Sequence, residues 1–344
     1  MSSDISIRIE GQAGRITLTR PEALNALSYK MCLAIDAALI DWADDPKVTL
    51  LIIDAEGERA FCAGGDIAEM YATGRAGDFD YGRKFWADEY RMNARLFNFP
   101  KPVISLMQGY TMGGGVGIGC HGSHRVVCEN SQIAMPEVGI GLIPDVGGTL
   151  VLSRAPGRMG EYLGSTARRM SAADAIYAGF ADYFIPQQLW PDLIQNLCDT
   201  GDWEEVDRAA IPPLPSDLEG LQAEVDACFG GESLRDILNV LEHSESSFAQ
   251  ETLAILARNS PLAMGAAIEL VHRARMRDSI EHALEQEYRF TARAMEKGDF
   301  LEGIRAAIID KDRQPKWKHD TPKEVGVAAV AAMLMPLGAD GLTF

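Results

Sequence analysis

The run Val48-Thr49-Leu50-Leu51-Ile52-Ile53 is apolar on both of its alternating faces. Such a strand must be covered on both sides, the condition met by a parallel sheet lying between layers. Pro102–Met107 reads as a second buried strand and Arg125–Cys128 as a short third. Segments at helical spacing lie between them. Ser28 is placed to cap a helix reaching about Asp44, with Met31, Ile35, Ala38, Leu39 and Trp42 near helical spacing. A second helix is predicted over Phe79–Leu96. Upstream, Ile5, Ile7 and Ile9, then Ile16 and Leu18, alternate around Gly11 and Gly14, which predicts two strands joined by a turn. Strands alternating with helices over the first 190 residues predict an α/β layered domain.

After Gln187 the character changes. Pro212-Pro213-Leu214-Pro215 marks a boundary or linker. Helical patterns follow at Leu218–Phe229, Leu234–Leu241, Phe248–Asn259, Pro261–Arg275 and Ser279–Lys297. The expected organisation is a core over residues 1–190 and a helical region over 191–344.

Charge and cysteine usage exclude several classes. A net charge of −18 repels phosphate backbones, so no nucleic-acid partner is expected, and an anionic ligand needs a local basic patch. No apolar run approaches the roughly 18–20 residues that cross a bilayer, so no membrane partner is expected. The first ten residues have neither a signal core nor a transit pattern, which predicts a cytoplasmic protein. The six cysteines (Cys32, Cys62, Cys120, Cys128, Cys198 and Cys228) form no CxxC pair and read as buried free thiols.

Two glycine-rich junctions carry the first chemical signal. Gly113-Gly114-Gly115 follows a strand and opens a helix, where backbone N–H groups are unpaired and can hold an anion or a developing oxyanion. Ala63-Gly64-Gly65-Asp66-Ile67 is a second such junction and could supply another donor, with Asp66 expected to cap the next helix. Glu137 and Asp145 carry the second signal. They stand in a stretch that is otherwise Gly, Pro and aliphatic, and apolar surroundings disfavour a charged carboxylate and suit it to acid/base work near neutrality. Three patterns are decoys. Gly117–Gly122 matches GxGxxG but falls inside a predicted helix rather than at a strand end. Cys120, His121 and His124 lack the second ligand pair of a structural zinc site, so no metal is expected. Ser123-His124 lacks a nucleophile elbow.

Thr19-Arg20-Pro21-Glu22-Ala23-Leu24-Asn25-Ala26-Leu27 resembles the opening nucleotide-binding loop of the crotonase (enoyl-CoA hydratase/isomerase) superfamily. Phe61–Ile67, Gly109–Gly117 and Met135-Pro136-Glu137 with Gly139-Ile140-Gly141 fit the same superfamily. Hydratases of this superfamily carry a glutamate where this chain has Gly117, and a small residue where it has Asp145. Together with Glu287-Tyr288-Arg289, Asp299–Ala306 and Ile309–Trp317, these departures resemble the branch that hydrolyses 3-hydroxyisobutyryl-CoA.

The resemblance implies a spiral of ββα units with C-terminal helices. It implies hydrolysis of a short 3-hydroxyacyl-CoA, 3-hydroxyisobutyryl-CoA in particular, as in valine breakdown, with simple hydration or isomerisation of an enoyl-CoA as the alternative. By motif position Gly65 and Gly114 would donate to the thioester oxygen, and Glu137 and Asp145 would be catalytic. Glu89, Gly114, Glu137 and Asp145 would contact the acyl group, and Ala26, Ala63, Asp66 and Ile67 the CoA portion. Arg20 and Lys101 are candidates for its phosphates. No separate cofactor is implied, because CoA is part of the substrate. A homo-oligomer is compatible with the superfamily, whose members include trimers and hexamers.

Overall fold

A computed structural model describes residues 4–344. They fall into two compact units that interleave along the chain. The first contains residues through Asp66, Asp88–Ala134 and Arg169–Glu219; the second contains Ile67–Ala87, Met135–Arg168 and Gly220–Phe344. The strands end at Phe184 and every later element is helical, so the change of character near residue 190 is one of element type. The compact units do not follow a single cut there.

The first unit holds the nine strands of the described residues: β1 (Ile5–Glu10), β2 (Ala13–Leu18), β3 (Leu50–Ala55), β4 (Ala60–Cys62), β5 (Val103–Met107), β6 (Tyr110–Met112), β7 (His124–Val127), β8 (Gln132–Ala134) and β9 (Tyr183–Phe184). Six form one sheet in the order β1-β2-β3-β5-β7-β9, and β4-β6-β8 form a second. Among these strand pairs the β1–β2 hairpin is antiparallel and the others are parallel. Successive strands therefore visit the two sheets in turn: β3, β5 and β7 in the larger, β4, β6 and β8 in the smaller, with helices between. This is the repeated ββα turn expected from the family resemblance. Leu50–Ile53 is fully buried, as a strand covered on both faces must be. Leu50, Ile52, Ile104, Leu106 and Val126 pack against Trp190, Leu193 and Leu197 of the helix Trp190–Thr200 and against Val206.

The second unit is organised by the helix Pro261–Met276, which packs on Gly148–Arg154, Met159–Thr166, Ile280–Lys297 and Val327–Leu334. Its start is fixed locally. Ser260 accepts from Ala263 N–H and Pro261 takes the first turn, where its missing N–H costs nothing. Ser233, Ser246 and Ser279 cap their helices in the same way. No described helix is long and apolar enough to cross a membrane. The cysteines are buried and free, and burial pushes the Cys62 and Cys120 thiols up to about 12.

Candidate active site

The two glycine junctions meet within the first unit. At the first, the bridge between Leu27 and Gly65 uses the Gly64 carbonyl and the Asp66 N–H, which leaves the Gly65 N–H out of the ladder. At the second, Gly113 precedes the helix Gly114–Gly119. Gly64 (φ +111) and Gly113 (φ +50) take backbone conformations that L side chains rarely adopt, so glycine is required at both. A Cβ placed on Gly114 would lie 3.3 Å from the Gly65 nitrogen and 3.2 Å from Oε1 of Glu89. Neither the Gly65 nor the Gly114 amide donates to an acceptor among the described residues. Two adjacent amides without a partner stand beside a carboxylate that is itself 5% exposed, an arrangement with the donors a polarised carbonyl oxygen needs.

The loop expected to hold CoA is knitted to this junction. Ala63 N–H donates to Leu24 O, and Leu27 N–H to Gly64 O. Arg20 donates to Ala26 O at 2.9 Å and to the Asp66 carboxylate at 3.2 Å. Asp66 is thus an ion-pair partner; the helix Ala68–Arg75 begins after Ile67 and has no side-chain cap. The Lys101 ammonium donates to the carbonyls of Trp42 and Asp45 at 2.6 and 2.7 Å, closing the end of the helix Tyr29–Ala43. The decoys are packed groups. Gly117 lies inside the helix Gly114–Gly119, where its carbonyl accepts from Asn93. His121 meets Phe97 edge-on, and the His124 ring stacks on Tyr183.

Glu137 and Asp145 meet within the second unit. Glu137 opens a short 3-10 turn, Glu137–Ile140, that ends at Gly141 in a left-handed conformation. Close packing pins this turn: a Cβ on Gly303 would lie 2.0 Å from Ile140 O. The Glu137 carboxylate is buried and its Oε2 has no hydrogen-bond partner. Burial, reinforced by the charge of Asp145, holds Glu137 well above the usual carboxylate range. Glu161 in the same unit behaves oppositely. Burial would push it up too, but hydrogen bonds from His272 and Arg275 outweigh that and hold it at about 2. A buried glutamate with cations is a structural ion pair. One with no cation and another carboxylate beside it keeps its proton to higher pH than a solvated carboxylate does, which suits it to proton transfer.

A third buried carboxylate, Glu287, stands beside them. It accepts from Gly147 N–H at 2.8 Å, from Thr149 N–H at 3.0 Å and from the Thr149 hydroxyl. Burial pushes it up to about 8 against the pull of these donors. In the sequence Glu287 shows only as part of the stretch Glu287-Tyr288-Arg289. Its signal is positional: it falls on the apolar stripe Ile280, Ala283, Leu284, Phe290, Ala294, where an unpaired carboxylate has no ordinary place.

The chain matches the enoyl-CoA hydratase/isomerase family over residues 13–334. It is 35% identical to the mitochondrial 3-hydroxyisobutyryl-CoA hydrolase of Gallus gallus, an alignment covering 99% of this chain and 91% of that one. Among solved structures, an enoyl-CoA hydratase from Rhodobacter sphaeroides is 55% identical with a TM-score of 0.94, covering 99% of this chain and 100% of that one. A carnitinyl-CoA dehydratase from Mycobacterium thermoresistibile is 39% identical with a TM-score of 0.94, covering 100% and 99%. Family match, near-full-length relatives and a ββα sheet pattern with open amides at its glycine junctions agree: this chain belongs to the enoyl-CoA hydratase/isomerase family.

Proposed function

We propose that this chain hydrolyses the thioester of a short 3-hydroxyacyl-CoA, with 3-hydroxyisobutyryl-CoA as the first substrate to test. The observation that carries the reading is the carboxylate set. Glu137 is buried, lacks a cation and stands beside Asp145, while position 117 is glycine. Hydration of a double bond is served by two carboxylates around one water, and Gly117 offers none. Thioester hydrolysis needs a base or nucleophile and a receptor for the tetrahedral oxyanion. Glu137 supplies the first, and the Gly65 and Gly114 amides supply the second, with one such donor worth about 3–4 kcal/mol. Asp145 assists proton transfer or orients the 3-hydroxyl, Glu89 contacts the acyl group, and Ala26, Ala63, Asp66 and Ile67 line the CoA portion.

In the base route Glu137 takes a proton from water as the oxygen attacks the thioester carbon. The tetrahedral intermediate then collapses, the C–S bond breaks and the proton passes to the departing CoA sulfur. In the nucleophile route the Glu137 carboxylate attacks that carbon, and the C–S bond breaks with CoA leaving as a thiolate that takes up a proton. Water then opens the resulting anhydride to the free acid and Glu137. Both require ionised Glu137, so kcat/KM is expected to rise with pH along a limb that lies above the ordinary carboxylate range. Asp145→Asn removes the negative charge that helps raise Glu137, so the acid limb of the kcat/KM profile should move to lower pH. The plateau should fall by about 10²-fold through loss of proton transfer. An unmoved limb would show that Asp145 does not act on Glu137.

The test of the reading is CoA release followed by thiol trapping. The name of the Rhodobacter relative favours a second reading, hydration of an enoyl-CoA. Loss of crotonyl-CoA absorbance without thiol release would establish it and sink the hydrolase reading.

A further inference from the structure

The turn that carries Asp145 is backbone-strained, and a residue far away in sequence holds it. Val146 has φ +53 and Gly147 has φ +80, two consecutive left-handed residues, one of them β-branched. That conformation is an outlier for valine and persists only where its surroundings over-determine it. Within the turn, Gly148 N–H donates to Asp145 O at 2.7 Å. The helix Gly148–Arg154 that follows has no side-chain cap at its start. Glu287 supplies what is missing. Projecting from the helix Ile280–Lys297, it takes the Gly147 N–H on one oxygen and the Thr149 N–H and hydroxyl on the other. Glu287 is itself completely buried, so its position is set by packing rather than by solvent.

We propose that Glu287 is a positioning residue: by clamping the amides on either side of Gly148 it holds the Val146–Gly147 turn and thereby sets the Asp145 carboxylate for hydrolysis. The catalytic half of this inference rests on the thioesterase reading above. The clamp itself does not.

Glu287→Gln keeps the shape and one acceptor oxygen, but its NH2 group faces a backbone donor it cannot accept. CoA release should lose about 10- to 100-fold in kcat, the range expected when a reacting group is misplaced by a fraction of an ångström to an ångström, while the dissociation constant for CoA stays within twofold. The decisive comparison is with Asp145→Asn. If Glu287 acts through Asp145, the double variant is no slower than Asp145→Asn alone, whereas a merely structural role multiplies the two losses. If Glu287→Gln does not fold, the hydroxyl carries the test. Thr149→Val should lose several-fold in kcat, and Thr149→Ser should restore the wild-type value. Amide exchange over residues 145–149 should quicken in Glu287→Gln or Thr149→Val. Unchanged exchange overturns the clamp, and multiplicative losses or an unchanged kcat overturn the positioning role. A wild type that releases no CoA sinks the thioesterase reading and with it the positioning of Asp145 for hydrolysis, while faster exchange in the variants would still uphold the clamp.

Discussion

Glu137→Gln is expected to slow CoA release from 3-hydroxyisobutyryl-CoA by about 10²- to 10⁴-fold, the range of a lost general acid/base. The amide keeps the size of the side chain and removes only its ability to take a proton or attack carbon. Binding of CoA should therefore survive, which separates this loss from a misfolded site. The same substitution should also change how stability depends on pH. The folded protein keeps a proton on Glu137 that the unfolded chain, with a carboxyl near 4.5, gives up. Stability from this group is complete below about 4.5 and is lost as pH rises towards the folded value. Glu287, held at about 8, adds a loss over the window from 4.5 to 8. Urea unfolding of the wild type should thus show a free energy that declines from about pH 5 to about pH 8, by up to about 1.4 kcal/mol per pH unit for each group. Glu137→Gln should decline less steeply. A variant with full activity would remove Glu137 from the chemistry, and one with an unchanged pH slope would show that the carboxyl is not proton-loaded in the folded state.

That Glu137 was legible at all came from its neighbours in sequence. Ala134–Gly148 contains only two acids among Gly, Pro and aliphatic residues, and such a stretch has no solvent-facing use for a carboxylate. Elements with their own local signals were legible for similar reasons. Ser28 caps the helix Tyr29–Ala43, and Ser260 and Pro261 start the helix Pro261–Met276, because caps and first-turn prolines act within a few residues. The smaller sheet was not. β4, β6 and β8 have three residues each, too few for any alternation to show, and they exist only because parallel neighbours pair with them. Glu287 escaped for another reason. Its partners lie 138 and 140 residues away, so nothing near it in sequence explains a carboxylate on an apolar stripe. Lys101 reads in the sequence only as a cation near a motif, which looks the same whether it faces a ligand or the carbonyls at a helix end, to two of which it donates.

Gly114→Ala is expected to be the most selective lesion at the donor pair. The added methyl would stand 3.3 Å from the Gly65 nitrogen and 3.2 Å from Glu89 Oε1, in the space an oxygen held by the two amides would fill. The contacts are tight without being impossible, and the Gly114 backbone is not in the left-handed region. The fold should therefore tolerate the change at a cost of about 1 kcal/mol, the low end for overpacking. Catalysis should not. Losing a preorganised oxyanion donor costs about 3–4 kcal/mol, so kcat for CoA release should fall by about 10²- to 10³-fold. The pH at which kcat/KM half-rises should stay where it is, since no titrating group of the carboxylate set is altered. That pattern, a lowered plateau on an unmoved limb, is the opposite of the one expected for Asp145→Asn, where the limb itself moves. Gly220→Ala, whose Cβ meets nothing within 4 Å, serves as the control for glycine replacement as such. If Gly114→Ala retains hydrolysis within threefold of the wild type, the two amides are not the oxyanion receptor. If it shifts the limb instead of the plateau, its effect runs through the carboxylates, and the division of labour between donors and acids proposed for this chain is wrong.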